Sequence, residues 1–285
     1  MRNENQSSRD SKPQKAIFVH EKEVSMEYED LSVDKEDGIA TITLNLPDKL
    51  NAFTPAMTKS LLLAADDVAE DDEARVVIVT GAGRGFCSGA DMSGGGGAAA
   101  VSQYGRLQVQ HLGRANVFPR MSKPVIAAVN GACVGAGFSI AMSCDIRIAS
   151  EAARFGAAGI AVGLAPDNGL TYYLPLVIGV SRAMELMYTG EIINAAEAER
   201  LGIVSRVVPP DDLMKVTREL AARIAQKAPI PVSLTKKMVW RGLFDNLNRQ
   251  LDLETNALQI CHQTEDYKEG VSAFREKRPA RFKGR

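Results

Sequence analysis

Several residue types and patterns that would announce a particular chemistry are scarce or missing. The four cysteines, Cys87, Cys133, Cys144 and Cys261, form no C-x-x-C pair, and only three histidines, His20, His111 and His262, accompany them. That supply argues against structural zinc and a disulfide framework, and sparse thiols suit a reducing, cytoplasmic setting. No run of about 18 apolar residues is present that could cross a bilayer. The opening M-R-N-E-N-Q-S-S-R-D-S-K-P-Q-K has no apolar stretch that could act as a secretory leader, so no membrane partner is expected. A dominant charge is missing too: 34 Lys plus Arg against 35 Asp plus Glu leave a net charge of -1, which creates no field to gather nucleic acid. Nucleotide loops fail as well. G-x-x-x-x-G-K-[ST] does not occur, and G-A-G-R-G-F puts Phe86 where the G-x-G-x-x-G turn needs its last glycine.

What is present is an ordinary globular composition, 45% hydrophobic and 24% charged over 285 residues, enough for one or two domains and a large core. Residues 1–25 are polar and mixed in charge, and read as a tail that cannot repay the entropy of ordering. G-I-A-T-I-T-L-N-L (38–46) alternates as a strand does. Thr54 and Pro55 then supply an N-cap and a first-turn proline for a helix over 54–70. V-V-I-V-T (76–80), P-V-I-A-A-V-N (124–130) and C-D-I-R-I-A-S (144–150) are short apolar runs of buried-strand type, and their alternation with helices predicts an α/β fold. From about residue 181 the pattern turns helical to the C-terminus. Between the strand at 76–80 and a helix before 118 lies a glycine-rich stretch without periodicity, including the run Gly94 to Gly97, as functional loops often do.

Two glycine-rich bends follow two of these strands, at 81–89 and 131–137. F-C-S-G-A-D-M turns at Ala90, and N-G-A-C-V-G-A-G-F-S-I-A-M opens a helix near Ala136. Small side chains at both places let a carbonyl oxygen approach free backbone N–H groups, and a helix N-terminus adds its positive end. This is the prescription for an oxyanion hole, in which a single donor lowers a barrier by about 3 kcal/mol.

F-C-S-G-A-D-M, K-P-V-I-A-A-V-N-G-A-C-V-G-A-G, C-D-I-R-I-A-S with R-F-G, and S-A-F-R-E-K-R, in that order, resemble the crotonase (enoyl-CoA hydratase/isomerase) superfamily. The resemblance implies a crotonase-like β-β-α spiral core over 26–220 and a C-terminal helical trimerisation region over 221–285, assembled as a homotrimer or dimer of trimers. It implies an acyl-CoA thioester as substrate, with coenzyme A as part of that substrate and no further cofactor. Ala90 and Ala136 are then the amide donors that hold the thioester oxygen as an enolate forms. CoA contacts carried over from the resemblance fall on Lys49, Ala52, Ser88, Ala90, Asp91 and Met92, and near the C-terminus on Phe274, Lys277 or Lys283.

Family members that hydrate a double bond hold a water between two glutamates; the corresponding positions here are Ser139 and Gly159. Neither side chain can exchange a proton as a carboxylate does at neutral pH. Asp167, in G-L-A-P-D-N-G-L, is the available carboxylate, and its setting resembles that of single-aspartate isomerases of the family. The expected reaction moves a double bond from a 3-enoyl-CoA into conjugation. An aspartate between proline and Asn-Gly is also a natural turn former or helix cap. Other readings are a hydratase with a rebuilt water site, a hydrolytic aroyl-CoA dehalogenase and a non-catalytic acyl-CoA-binding subunit. The dehalogenase wants a tryptophan near R-F-G, whereas the only one here is Trp240.

Overall fold

Val76 to Gly81, V-V-I-V-T-G, is buried at every position, as a strand covered on both faces must be. A computed structural model describes residues 28–91, 117–162, 166–243, 263–276 and 278–285. The tail expected over 1–25, the glycine run 94–97, His111, Met92 and Lys277 lie outside the described residues.

The large sheet has six strands in the order β1-β2-β3-β5-β7-β10. β1 (Leu31–Glu36) is antiparallel to β2 (Ile39–Leu44) through a two-residue turn, Asp37 and Gly38, both at positive φ. From β2 onward the pairs are parallel: β3 (Val76–Gly81), β5 (Val125–Val129), β7 (Ile146–Ser150) and β10 (Arg206–Val208). A smaller sheet joins β4 (Gly85–Cys87), β6 (Ala132–Val134), β8 (Arg154–Gly156) and β9 (Ile192–Asn194). Three successive strands of the large sheet each hand the chain directly to one of the small sheet. This repeated step is the β-β-α spiral.

Alternate side chains of the large sheet feed two cores. Val77 and Val79 join the larger core, to which α1 (Pro55–Glu70) contributes Met57, Leu61, Ala64, Ala65 and Val68. Thr54 caps that helix by accepting from the Met57 N–H at 2.9 Å. Val76 and Ile78 face the other way, toward Leu213 and Ala221 of α6 (Leu213–Ala225). The division drawn between residues 220 and 221 therefore falls inside one continuous helix packed on the sheet. The other helices are α2 (Ala136–Ser143), α3 (Leu170–Ile178), α4 (Val180–Thr189), α5 (Ala195–Arg200), α7 (Pro229–Gly242) and α8 (Glu265–Glu276).

Candidate active site

Two asparagines shape the first glycine-rich bend. The Asn130 side-chain amide donates to the carbonyls of Gly81, Gly83 and Gly85 at 2.9, 2.9 and 3.1 Å. Asn51, fully buried and at φ 56°, accepts from the Leu46 N–H at 2.8 Å and donates to the carbonyls of Ala82 and Gly85 at 2.9 and 2.7 Å. The bend closes so tightly that a Cβ at Gly81 would stand 2.2 Å from the Gly85 oxygen. Beyond β4 the chain runs parallel to residues 50–53: the Phe53 N–H donates to the Gly89 carbonyl at 2.7 Å, and the Asp91 N–H to the Phe53 carbonyl at 3.0 Å. In a parallel bridge of this register the N–H of the intervening Ala90 points away from its neighbour. No acceptor for it is found among the described residues, and Ala90 is exposed.

The second bend comes from β6. Gly135, at φ 53° and ψ -119°, is the N-cap of α2 and offers no side chain to the helix, and among the described residues the Ala136 N–H has no acceptor. The two bends touch. A Cβ on Gly89 would lie 3.3 Å from the Val134 oxygen and 4.0 Å from the Ala136 nitrogen, and one on Gly135 would lie 3.7 Å from the Gly89 Cα. A Cβ on Gly137 would lie 2.3 Å from the Cys87 oxygen, so α2 reaches this depth only because residue 137 has no side chain. Every residue of α2 is buried, which leaves the positive end of the helix poorly screened where the bends meet.

One turn into α2, Ser139 is buried and its hydroxyl lies 3.2 Å from the Gly135 carbonyl and 3.0 Å from that of Asp167. The Asp167 carbonyl also accepts from the Leu170 N–H at 3.1 Å, closing a turn whose central residues, Asn168 and Gly169, have φ values of 50° and 83°. This is the type I′ geometry that Asn-Gly favours. The N-cap of α3 is Gly169, with no side-chain capping bond, so Asp167 does not serve as the helix cap that its neighbours in the sequence offered it. Asp167 is exposed, and among the described residues its carboxylate makes no hydrogen bond or ion pair. Gly159 lies in a short 3-10 turn, Ala158–Val162.

The carried-over CoA contacts divide into two groups. Lys49, Ala52, Ser88, Ala90 and Asp91 come together in one strip. The Lys49 amine pairs with the Asp91 carboxylate at 2.8 Å, the Ser88 hydroxyl donates to the Lys49 carbonyl at 3.2 Å, and the buried Ala52 donates its N–H to the same carbonyl at 3.1 Å. Phe274 is in the backbone of α8, its side chain outside the described residues, as are Met92 and Lys277. The Lys283 N–H donates to the buried Asp266 carboxylate at 2.6 Å. In the sequence, Asn51, Asn130 and Asn168 carry no mark of a site-shaping role beyond an Asn next to small or turn-forming residues. Among the described residues no cluster of three His, Cys, Asp or Glu could hold a metal.

A β-β-α spiral whose touching bends carry two amides without acceptors among the described residues is the arrangement expected of a crotonase-type enzyme. Residues 34–285 match the enoyl-CoA hydratase/isomerase family, and the chain belongs to it, acting on acyl-CoA thioesters. It is 36% identical to crotonyl-CoA hydratase of Syntrophomonas wolfei over 90% of this chain and 99% of that one. It is also 36% identical to 1,2-epoxyphenylacetyl-CoA isomerase of Escherichia coli, over 88% and 97%. Among solved structures, enoyl-CoA hydratase of Bacillus anthracis superposes with a TM-score of 0.84 at 35% identity, covering 90% of this chain and all of the other.

Proposed function

We propose that the protein is an enoyl-CoA isomerase that carries a 3-enoyl-CoA, or a related ring-derived substrate, to the conjugated 2-enoyl-CoA. The observation that carries this reading is the link through Ser139: a hydroxyl stands where hydratases of the family hold a carboxylate, and it ties Asp167 to the helix that supplies the Ala136 amide. The thioester oxygen sits between the N–H groups of Ala90 and Ala136, which strengthen their hydrogen bonds as it becomes an enolate oxygen. Asp167 takes the proton from C2; the electron pair enters the dienolate, and the same carboxyl returns the proton at C4. Lys49 and its strip serve the CoA portion, and the family resemblance assigns the adenine end to Phe274 and Lys277 from an adjacent subunit. The isomerase of Escherichia coli among the relatives supports this reading.

A hydratase with a rebuilt water site is the second reading, favoured by the name of the Syntrophomonas wolfei relative. Incubation with 2-enoyl-, 3-enoyl- and 4-chlorobenzoyl-CoA in heavy water separates the possibilities by mass spectrometry. A positional shift with deuterium exchange supports the isomerase, and addition of water to the 2-enoyl substrate without any positional shift rejects it. Chloride release identifies a dehalogenase, and binding without turnover identifies a non-catalytic subunit. Asp167→Asn should lower kcat by at least about 100-fold.

We place the protein in the cytoplasm as a homotrimer or dimer of trimers. Val180, Met184 and Tyr188 support the assembly: they expose an apolar stripe along one side of α4. Sedimentation velocity checks it.

A further inference from the structure

Asn168 is only 6% exposed, yet among the described residues neither its Nδ2 nor its Oδ1 has a hydrogen-bond partner. One unpaired buried polar atom costs about 1–3 kcal/mol, so two on a single side chain are not a neutral feature of a turn. The turn itself does not ask for them: glycine and aspartate also adopt the left-handed conformation at its first central position. Nor does the following helix use them, since its N-cap is Gly169 without a side-chain bond.

The two orphan atoms define their partner. Nδ2 needs an acceptor and Oδ1 needs a donor, and the single atom that satisfies both is a hydroxyl-type oxygen, with an oxygen–hydrogen bond and lone pairs. A methylene chain offers neither, and a carbonyl or an ammonium offers one. The location is equally specific. Asn168 follows the proposed proton carrier in the chain, and the carbonyl of Asp167 shares the Ser139 hydroxyl with the carbonyl of Gly135, the residue before the Ala136 amide.

We propose that Asn168 is a specificity-determining residue that holds one hydroxyl-type oxygen beside the Asp167 carboxylate, supplied either by a hydroxyl on the acyl group or by a bound water. This rests on the placement of the reacting acyl chain between the two bends and Asp167. With the acyl hydroxyl as source, the enzyme selects hydroxylated enoyl-CoA thioesters over plain ones. With water as source, the same contact keeps a nucleophile next to the proton carrier and determines how much hydration accompanies isomerisation.

Asn168→Gly keeps the left-handed turn and removes the amide; Asn168→Asp keeps the shape and removes the donor. The experiment compares both variants of the full chain with the unaltered protein, using a plain 3-enoyl-CoA and its hydroxylated analogue in oxygen-18 water. If the acyl hydroxyl is the source, the unaltered protein prefers the hydroxylated substrate by at least about tenfold in kcat/KM, and both variants lose that preference through KM. If water is the source, the variants lose label incorporation at least about tenfold while isomerisation persists. Variants that match the unaltered protein in kcat, KM, substrate preference and label incorporation overturn the proposal. Asp167→Asn separates the two claims: if it keeps full turnover while the Asn168 variants change preference, the role of Asp167 fails and that of Asn168 stands.

Discussion

The Ser139 hydroxyl lies within hydrogen-bond reach of two carbonyls that belong to different segments, Asp167 at 3.0 Å and Gly135 at 3.2 Å. One short side chain thus fixes the distance between the turn at 167–170 and the start of α2. Removing it leaves the carbonyls without a shared donor and lets the turn drift. Ser139→Ala is expected to cost about 1 kcal/mol of stability, the ordinary value of one hydrogen bond. Its effect on turnover should be larger, about tenfold in kcat with little change in KM, because a carboxylate off line by a fraction of an ångström transfers a proton poorly. Steady-state kinetics beside thermal unfolding checks both; an unchanged kcat would show that the hydroxyl positions nothing.

Gly89 has φ 111°, a conformation strained for any residue with a side chain, and a Cβ there would stand 3.3 Å from the Val134 oxygen, tighter than ordinary contact. Backbone strain and this contact together are expected to push the bend carrying Ala90 away from the bend carrying Ala136 in Gly89→Ala. The expected result is a kcat reduced about 100- to 1000-fold, the cost of losing one oxyanion donor. Gly179 is the control. It also has positive φ, 81°, but nothing lies within 4 Å of its added Cβ, so Gly179→Ala should lower stability through backbone strain while kcat is preserved.

Asn51 joins two loops through three hydrogen bonds from a fully buried side chain. Asn51→Ala leaves the Leu46 N–H and the carbonyls of Ala82 and Gly85 short of partners and places alanine at positive φ. A loss of about 2–4 kcal/mol follows. Urea unfolding should show a lowered midpoint with an unchanged slope. Asn51→Asp keeps the acceptor for Leu46 but faces two carbonyls with a carboxylate, so it should rescue little.

The parts of this fold that were legible in the sequence are those with length or chemical punctuation. Thr54-Pro55 marked the start of α1, and apolar runs marked β3, β5 and β7, because burial on both faces selects such residues. The small sheet was not legible: β4, β6 and β8 are three residues each, too short to show a period, and two of them lie inside segments that read as glycine loops. β1 also escaped, since L-S-V-D-K-E is half exposed and strongly charged. At the site, Ala90 and Ala136 stand out in the sequence as small residues in two glycine-rich bends, which the family motifs then overlap. The asparagines that hold the first bend do not, because their partners are backbone carbonyls up to 49 residues away.

The C-terminal segment carries a titratable clamp. The Arg278 guanidinium reaches both oxygens of Glu269 at 2.6 and 3.0 Å, and the Arg281 N–H donates to the same carboxylate at 2.9 Å. Together they hold Glu269 at about 2, below its ordinary 4.5. A carboxylate depressed in the folded state contributes stability in full above its unfolded value, and that contribution is lost as pH falls through the folded one. The clamp should therefore release between pH 4.5 and about 2. Hydrogen exchange at residue 281 across this window checks it, and Glu269→Gln should remove the pH dependence.

Lys236 offers a harsher test of what anchors α7. Its side chain is 6% exposed, and its amine donates to the Asp145 carboxylate at 2.9 Å and the Lys123 carbonyl at 2.8 Å. Asp145 accepts in addition from the Val125 N–H at 2.7 Å and the Trp240 indole at 2.8 Å, while Trp240 stacks edge-on against Tyr173 of α3 at 5.5 Å. Breaking such a pair from one side strands a charge. Lys236→Met should cost about 3–5 kcal/mol, and adding Asp145→Asn should return part of that loss rather than add to it. Burial also pulls the Lys236 amine below its ordinary 10.5, against the opposing pull of Asp145. Between that lowered value and 10.5 the unfolded chain binds the extra proton, so stability gains from this lysine as pH rises through the window. The gain should be absent from Lys236→Met, read as the difference between the two proteins' unfolding midpoints at successive alkaline pH values. Equal slopes in both would show that the lysine keeps its proton throughout.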